Sequence, residues 1–306
     1  MDVTKVRVHT ALFMVSLMYA VLFSWAGEIM PKYIQPEAFV WLRVVTACIL
    51  FNITAYFYGW EKVRFREDWQ LWLICSFFGT AANMFMFFKG LSMTKPINGA
   101  VLMMVTPLFV ALFDHIKNKQ APSMETIIGL VIGSGGAILL IAGKGAHFTR
   151  ETLIGDIWVA VNAAFYAVYL VYVKKLVHKY NPVTVNRVSF SLGVIYIAPL
   201  GALSLFSTDF TAIPSDIAWK IGYTLFFTSF LVYLFNAHAV KHGSPKLVGL
   251  YIYLQPVLAT LIALMLGRDQ LTPAKIFYTL MILFGVWLVM NNDWRGFSLK
   301  DRFRGK

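Results

Sequence analysis

Of the charged or titratable side chains inside or at the ends of long apolar stretches, five stand out: Glu28, Arg43, Lys89, Arg187 and His238. A charge in hydrocarbon is costly, so such residues are functional candidates by default. Glu28 ends the first stretch, Arg43 sits one to two turns into the second from the same side, and Lys89 closes the third at that level. These three are expected to form a charge-paired cluster at one mouth. Asn186 and Arg187 begin the seventh stretch and His238 ends the eighth, at the opposite mouth. The role expected of the five is gating, with one basic group at each mouth. The bland alternative is that they snorkel to headgroups from helix ends.

Nearer mid-depth the polar residues are uncharged: Tyr19, Asn83, Thr106, Asn162, Tyr166, Thr228, Tyr233 and Gln255. Asn162, Tyr166 and Tyr169 recur at helical spacing and share one face of a helix, as do Tyr251 and Gln255. A cavity lined by tyrosines, amides, Met103 and Met104 suits a small amphipathic or aromatic solute. Any one tyrosine could equally serve helix packing. Pro107 and Pro256 fall in the middle of apolar stretches, where proline removes a hydrogen bond and frees a carbonyl. They are candidate hinges, with a purely structural bend as the alternative.

Enzyme constellations are poor. His238 and His242 have the spacing of a metal pair, but no Cys, third His or carboxylate accompanies them locally and Lys241 lies between. No HExxH, G-x-S-x-G or P-loop occurs, and Gly133-Ser134-Gly135-Gly136 lacks the following Lys of a phosphate loop. Cys48 and Cys75 fall in different apolar stretches and read as small buried hydrophobes. No catalytic residue, metal or cofactor is expected.

The elements that must position these residues follow from composition. The chain is 58% hydrophobic and 14% charged over 306 residues, outside the range of soluble domains. Crossing about 30 Å of hydrocarbon takes roughly 20 apolar residues in a helix. Ten such segments are expected, at 9–30, 38–59, 69–92, 96–116, 123–143, 155–176, 183–206, 217–240, 246–267 and 274–292. The fold class is therefore an all-α membrane protein, since backbone groups in lipid must pair within helices or closed barrels.

The formal net charge of +12 does not point to nucleic acid, because of where the charge lies. Lys5, Arg7, Lys62, Arg64, Arg66, Lys117, Lys119, Lys174, Lys175, Lys179, Lys241, Lys246 and the tail from Arg295 onward share one side. The other side keeps only Lys32, Lys95, Lys144, Arg150, Arg268 and Lys275. The bias predicts that both termini are cytoplasmic, with the basic tail against anionic headgroups. The first segment is read as an uncleaved helix, too long for a signal peptide.

The chain also repeats itself. Pro96 and Pro107 recur as Pro245 and Pro256, 149 residues later, and Lys89 corresponds to His238 at the same offset. Tyr19-Ala20-Val21 and Lys32-Tyr33 reappear as Tyr166-Ala167-Val168 and Lys179-Tyr180. The expected halves are 1–146 and 147–306, each of five helices. An odd number of helices per half makes the two repeats inverted in the membrane, an arrangement that supplies alternating access.

With these residues in hand, the chain resembles the EamA family of the drug/metabolite transporter (DMT) superfamily. The likeness rests on Trp25-Ala26-Gly27 with Lys32, on Arg43, on Pro107-Leu108-Phe109, on Gly155-Asp156, on Tyr251 through Gln255-Pro256-Val257, and on Leu266-Gly267-Arg268-Asp269. It spans about residues 10 to 290. Gln120 and Asp269 stand where the family often has a Glu, and Gln120 carries no charge. The resemblance implies an inner-membrane carrier, commonly an exporter, for amino acids, related metabolites or drugs. It also implies a central cavity made by helices 1–4 and 6–9. The expected partners are a small-molecule solute and the lipid bilayer, with no nucleic acid and no obligate protein partner. Competing readings are an uncoupled facilitator, a membrane sensor or scaffold, and an intramembrane enzyme.

Overall fold

The computed structural model describes residues 3–94, 96–118, 122–142, 149–265 and 272–303, and among them the regular structure is helical, with no strand. Among the described residues eight helices are long and apolar enough to cross a membrane. They are α1 (Val3–Ile29), α2 (Pro36–Tyr58), α3 (Phe65–Met93), α4 (Asn98–Lys117), α6 (Leu153–Lys179), α7 (Pro182–Phe206), α8 (Ser215–His242) and α9 (Pro245–Ile262). Two helices with shorter apolar stretches, α5 (Met124–Ala142) and α10 (Pro273–Phe303), complete the order. The last helix was expected to stop at 292, but its backbone stays helical to Phe303 and so carries Arg295, Lys300 and Arg302. Gln120, Asp269, Lys95, Lys144 and Arg268 lie outside the described residues.

Helix starts follow local chemistry. Pro36, Pro182 and Pro245 each occupy the first turn, where a missing N–H costs nothing. The Asn181 side chain accepts from the backbone N–H of Val183 at 3.1 Å, and Ser244 accepts from Leu247 at 3.1 Å. Helix α2 ends at Gly59, whose φ of 93° is open to glycine at no steric cost.

Besides a non-helical turn at Asp68 in α3, two kinds of irregularity interrupt the long helices, each once among the first five described helices and once among the last five. A π-helical stretch at Phe77–Ala81 lies inside α3, and another at Thr224–Leu231 lies inside α8. Helix α4 breaks between Pro96–Met103 and Thr106–Asn118; α9 breaks between Pro245–Tyr251 and Leu254–Met265. At both breaks the chain tightens into i→i−3 bonds, Met104 to Val101 at 3.0 Å and Tyr253 to Leu250 at 3.1 Å. Pro107 and Pro256 therefore stand in the first turn of the second piece of each helix, just past the break.

Packing has the same pairing. Helix α2 lies along α7, and α5 lies along α10. Helix α1 packs on α8 and α9, while α6 packs on α3 and α4. Exchanging the first five helices for the last five leaves this set of contacts unchanged. Glycines set the closeness of α5 and α10: a Cβ built on Gly285 would lie 2.5 Å from the carbonyl oxygen of Gly129, and one on Gly136 would lie 2.8 Å from Cβ of Met281. Small residues at this seam let two backbones touch, the main source of attraction between helices in lipid.

Candidate functional site

Helices α1, α2, α3, α4, α6, α8 and α9 enclose a central cavity with about 650 Å³ of space not filled by atoms, its open mouth included. Eight of the residues expected from sequence to line a cavity lie in its wall: Tyr19, Asn83, Met103, Asn162, Tyr166, Tyr233, Tyr251 and Gln255. The rest of the wall is mostly apolar, with Val15, Met84, Phe87, Phe88, Val248 and Ile252.

The polar groups are held by a sparse set of hydrogen bonds between helices. Asn162 on α6 donates from Nδ2 to the carbonyl of Asn83 on α3 at 2.7 Å. Asn236 on α8 donates to the Tyr166 hydroxyl at 2.9 Å. The Tyr233 hydroxyl donates to the carbonyl of Gly79 at 2.8 Å, and Asn186 donates to the carbonyl of Tyr233 at 3.1 Å. At the α1–α9 side, the Ser16 hydroxyl reaches the Tyr251 carbonyl at 2.8 Å, and the Tyr251 hydroxyl is 2.7 Å from His9 Nδ1. Within this framework Oδ1 of Asn162 and Oδ1 of Asn236 have no hydrogen-bond partner.

Arg43 is also in the cavity wall. It was expected in a cluster with Glu28 and Lys89 at the mouth, but its side chain is only 1% exposed. Its Nε donates to the Ser229 hydroxyl at 2.9 Å and its Nη2 to the Thr228 carbonyl at 3.2 Å. The guanidinium carbon lies 4.5 Å from the centre of the Phe88 ring, a cation–π contact. The reason is that α2 turns this side chain toward α8. Arg43 is two turns into α2, and the π-helical stretch of α8 presents a carbonyl and a hydroxyl at that level.

At the mouth the ion pairs differ from those expected. Glu28 pairs with Lys220, which also contacts Asp216 at 3.3 Å, and Lys89 pairs with Glu37 at 2.7 Å. Glu37 and Lys220 lie at the starts of α2 and α8, and their positions flanking apolar stretches were the available signal. At the other end Arg187 stacks over Trp60 at 4.2 Å. The His238 and His242 rings are 4.5 Å apart. Lys179 there bridges Glu67 at 3.1 Å and Asp68 at 2.6 Å.

Four other candidates lie off the cavity wall, among them Thr228, which is fully buried and accepts from Arg43 through its carbonyl. Thr106 is fully buried at the α4 break, with its hydroxyl unpartnered. Tyr169 stands behind Tyr166, ring centres 6.0 Å apart, and is pressed against Gly79, where a Cβ would collide with its ring. Met104 packs in the core beside α5 and α10. Sequence reasoning missed Ser16 and Asn236, each one turn from a residue it did select: Ser16 three before Tyr19, Asn236 three after Tyr233. Among the described residues no group of three or more His, Cys, Asp or Glu is placed to hold a metal ion.

Comparisons with known proteins give one consistent result. The model of the EamA-like transporter family matches two stretches, residues 7–142 and 153–291. The uncharacterized transporter YyaM of Bacillus subtilis is 23% identical over 286 residues, covering 92% of each chain. An uncharacterized transporter of Archaeoglobus fulgidus is 24% identical over 256 residues, 81% of this chain and 86% of its own. The uncharacterized inner membrane transporter YedA of Escherichia coli is 24% identical over 200 residues, 62% of this chain and 60% of its own. A solved crystal structure shares the fold, with a TM-score of 0.73 at 18% identity over 94% of this chain and 96% of that one.

Proposed function

The chain belongs to the EamA-like transporter family, and from that premise we propose that it is a secondary carrier moving a small organic solute through the central cavity by alternating access. The observation that carries this reading is the composition of the cavity wall. Tyr19, Arg43, Asn83 and Met103 come from the first half; Asn162, Tyr166, Tyr233, Tyr251 and Gln255 come from the second. A site shared between two halves changes its exposure when one half rocks against the other.

The ten segments act in this reading as two inverted five-helix repeats, 1–146 and 147–306, with both termini cytoplasmic. Support comes from the two stretches matched by the family model. It comes also from the paired π-helical stretches, the paired helix breaks and the exchange-symmetric packing. Pro107 and Pro256 are the proposed hinges. Glu28, Lys89, Arg187 and His238 are proposed to belong to the two mouths, and Arg43 to the cavity itself. The proposed location is the bacterial inner membrane and the proposed direction is export, as a carrier of amino acids, related metabolites or drugs.

Among the described residues that line the cavity there is no Asp, Glu or His. That favours an uncoupled facilitator over a proton-driven carrier as the second reading.

The test is flux from proteoliposomes loaded with a mixed pool of amino acids, organic acids, nucleosides and small amines, read by mass spectrometry. Loss of particular solutes is expected. No loss of any solute from folded protein would favour a sensor or scaffold.

A further inference from the structure

Arg43 is the single Lys or Arg in the cavity wall among the described residues. A guanidinium is always charged, and it carries five N–H donors in a planar fork. Here one edge is used, by Ser229 and the Thr228 carbonyl, while Nη1 is buried and has no hydrogen-bond partner. Both acceptors are neutral.

No ion pair among the described residues includes Arg43. Carboxylates on the helices that line the cavity are engaged elsewhere: Glu28 and Asp216 with Lys220, Glu37 with Lys89, Asp114 with Lys246, and Asp156 with Thr94, Thr152 and Asn98. A buried charge without a counter-charge is strongly unfavourable. Here that deficit is met by neutral dipoles and the faces of Phe88 and Phe39, the latter ring centre 5.9 Å away.

From this we propose that the transported solute bears a single carboxylate, and that Arg43 anchors it through the free Nη1 edge. The inference rests on the transporter reading above. A carboxylate restores neutrality and matches the guanidinium fork in geometry. A dianion such as a phosphate monoester would need a second cation that the wall does not offer. A simple amine would meet an uncompensated positive charge.

The remaining wall fits the rest of such a solute. Phe87, Phe88, Met84 and Met103 take an apolar or aromatic body. The unpartnered amide oxygens of Asn162 and Asn236 accept an N–H or O–H from it. The carboxylate can thus come from a plain organic acid or from a zwitterion, and the two are separable by experiment.

Four probes with one phenyl body are compared in proteoliposomes of the full chain: 3-phenylpropanoate, phenylalanine, phenethylamine and 3-phenylpropanamide. The mixed pool is run beside them, so that every transported compound is sorted by charge. Carboxylate-bearing compounds are expected to carry the flux, with an advantage of roughly 100-fold over the matching amide or amine. Phenylpropanoate and phenylalanine moving alike assigns recognition to the carboxylate alone. Phenylalanine moving without phenylpropanoate adds a role for the Asn162 and Asn236 oxygens.

Arg43→Lys is expected to keep the preference at a rate lowered about tenfold or more, since the ammonium cannot reproduce the fork. Arg43→Gln, checked for folding by its melting temperature, is expected to lose the preference. Flux carried by amines or neutral compounds in the wild-type protein overturns the anchor and leaves the transporter reading standing. So does a carboxylate preference that survives in folded Arg43→Gln. No flux of any compound removes the transporter reading, and the anchor with it.

Discussion

The carbonyl of Gly79 and the carbonyl of Thr228 stand 149 residues apart, and each accepts a hydrogen bond from a side chain of the cavity wall. Tyr233 donates to the first at 2.8 Å and Arg43 to the second at 3.2 Å. Both carbonyls belong to π-helical stretches, whose wide turns make backbone oxygens available to side chains of other helices. The same backbone feature thus occurs in both stretches matched by the family model, and different side chains exploit it.

Gly79→Ala tests the tightness of the first site. The added Cβ meets the Tyr169 ring, which is itself fully buried behind Tyr166. A loss of about 1–3 kcal/mol of stability is expected, the usual cost of overpacking. A melting curve in detergent would show it as a clear fall in Tm, and an unchanged Tm would mean that the ring moves aside freely.

Tyr233→Phe removes the hydroxyl but keeps the ring packed on Phe190 at 4.9 Å. The Gly79 carbonyl then loses this donor, at a cost of about 1–3 kcal/mol. Thermal unfolding of the variant beside Tyr251→Phe, whose hydroxyl faces His9, checks whether the π-helical site is the more sensitive of the two.

The α5–α10 seam predicts a different response. Gly285→Val places a branched side chain against the Gly129 carbonyl and the Gly133 backbone. The helices must separate along their length, so strong destabilisation or loss of folded protein is expected. Gly135→Ala on the facing helix α5, which meets nothing within 4 Å, serves as the neutral control.

Lys89 and Glu37 make a partly exposed pair at one mouth. Exposed pairs contribute about 0–1 kcal/mol, so Lys89→Ala should leave Tm almost unchanged. If the pair gates the mouth, the same variant changes transport rate several-fold. A rate equal to wild type would remove Lys89 from the gate.

Transport is also expected to respond little to a pH gradient, within about twofold, because no carboxylate or histidine lines the cavity among the described residues. Flux measured with and without the gradient decides this. A large acceleration by inward protons would assign coupling to groups at the helix ends.

Much of this architecture was legible in the sequence, for a physical reason. Apolar runs of membrane length, such as Phe39–Tyr58 or Ile157–Val173, leave a helix little alternative in lipid. Asn162 and Tyr166 were readable as one helical face, and both line the cavity. The partners of charged groups were not readable. Arg43 was assigned to Glu28 and Lys89 by depth alone, but depth does not say which way a helix faces. The π-helical stretches at Phe77–Ala81 and Thr224–Leu231 also left no local sequence signal, since Phe, Thr and Leu fit an ordinary helical turn as well. Pro107 and Pro256 flagged the breaks in α4 and α9 to within a turn, because proline's missing N–H is fixed by covalent structure.

The most direct test of the central claim is the two-sided accessibility of the cavity. With Cys48 and Cys75 replaced, single cysteines at Tyr19, Asn83 and Tyr166 are reacted with an impermeant thiol reagent from either face of sealed vesicles. The account predicts labelling from both faces, with transported solute reducing reaction at all three positions. Labelling from one face only, in protein that remains folded, would contradict alternating access.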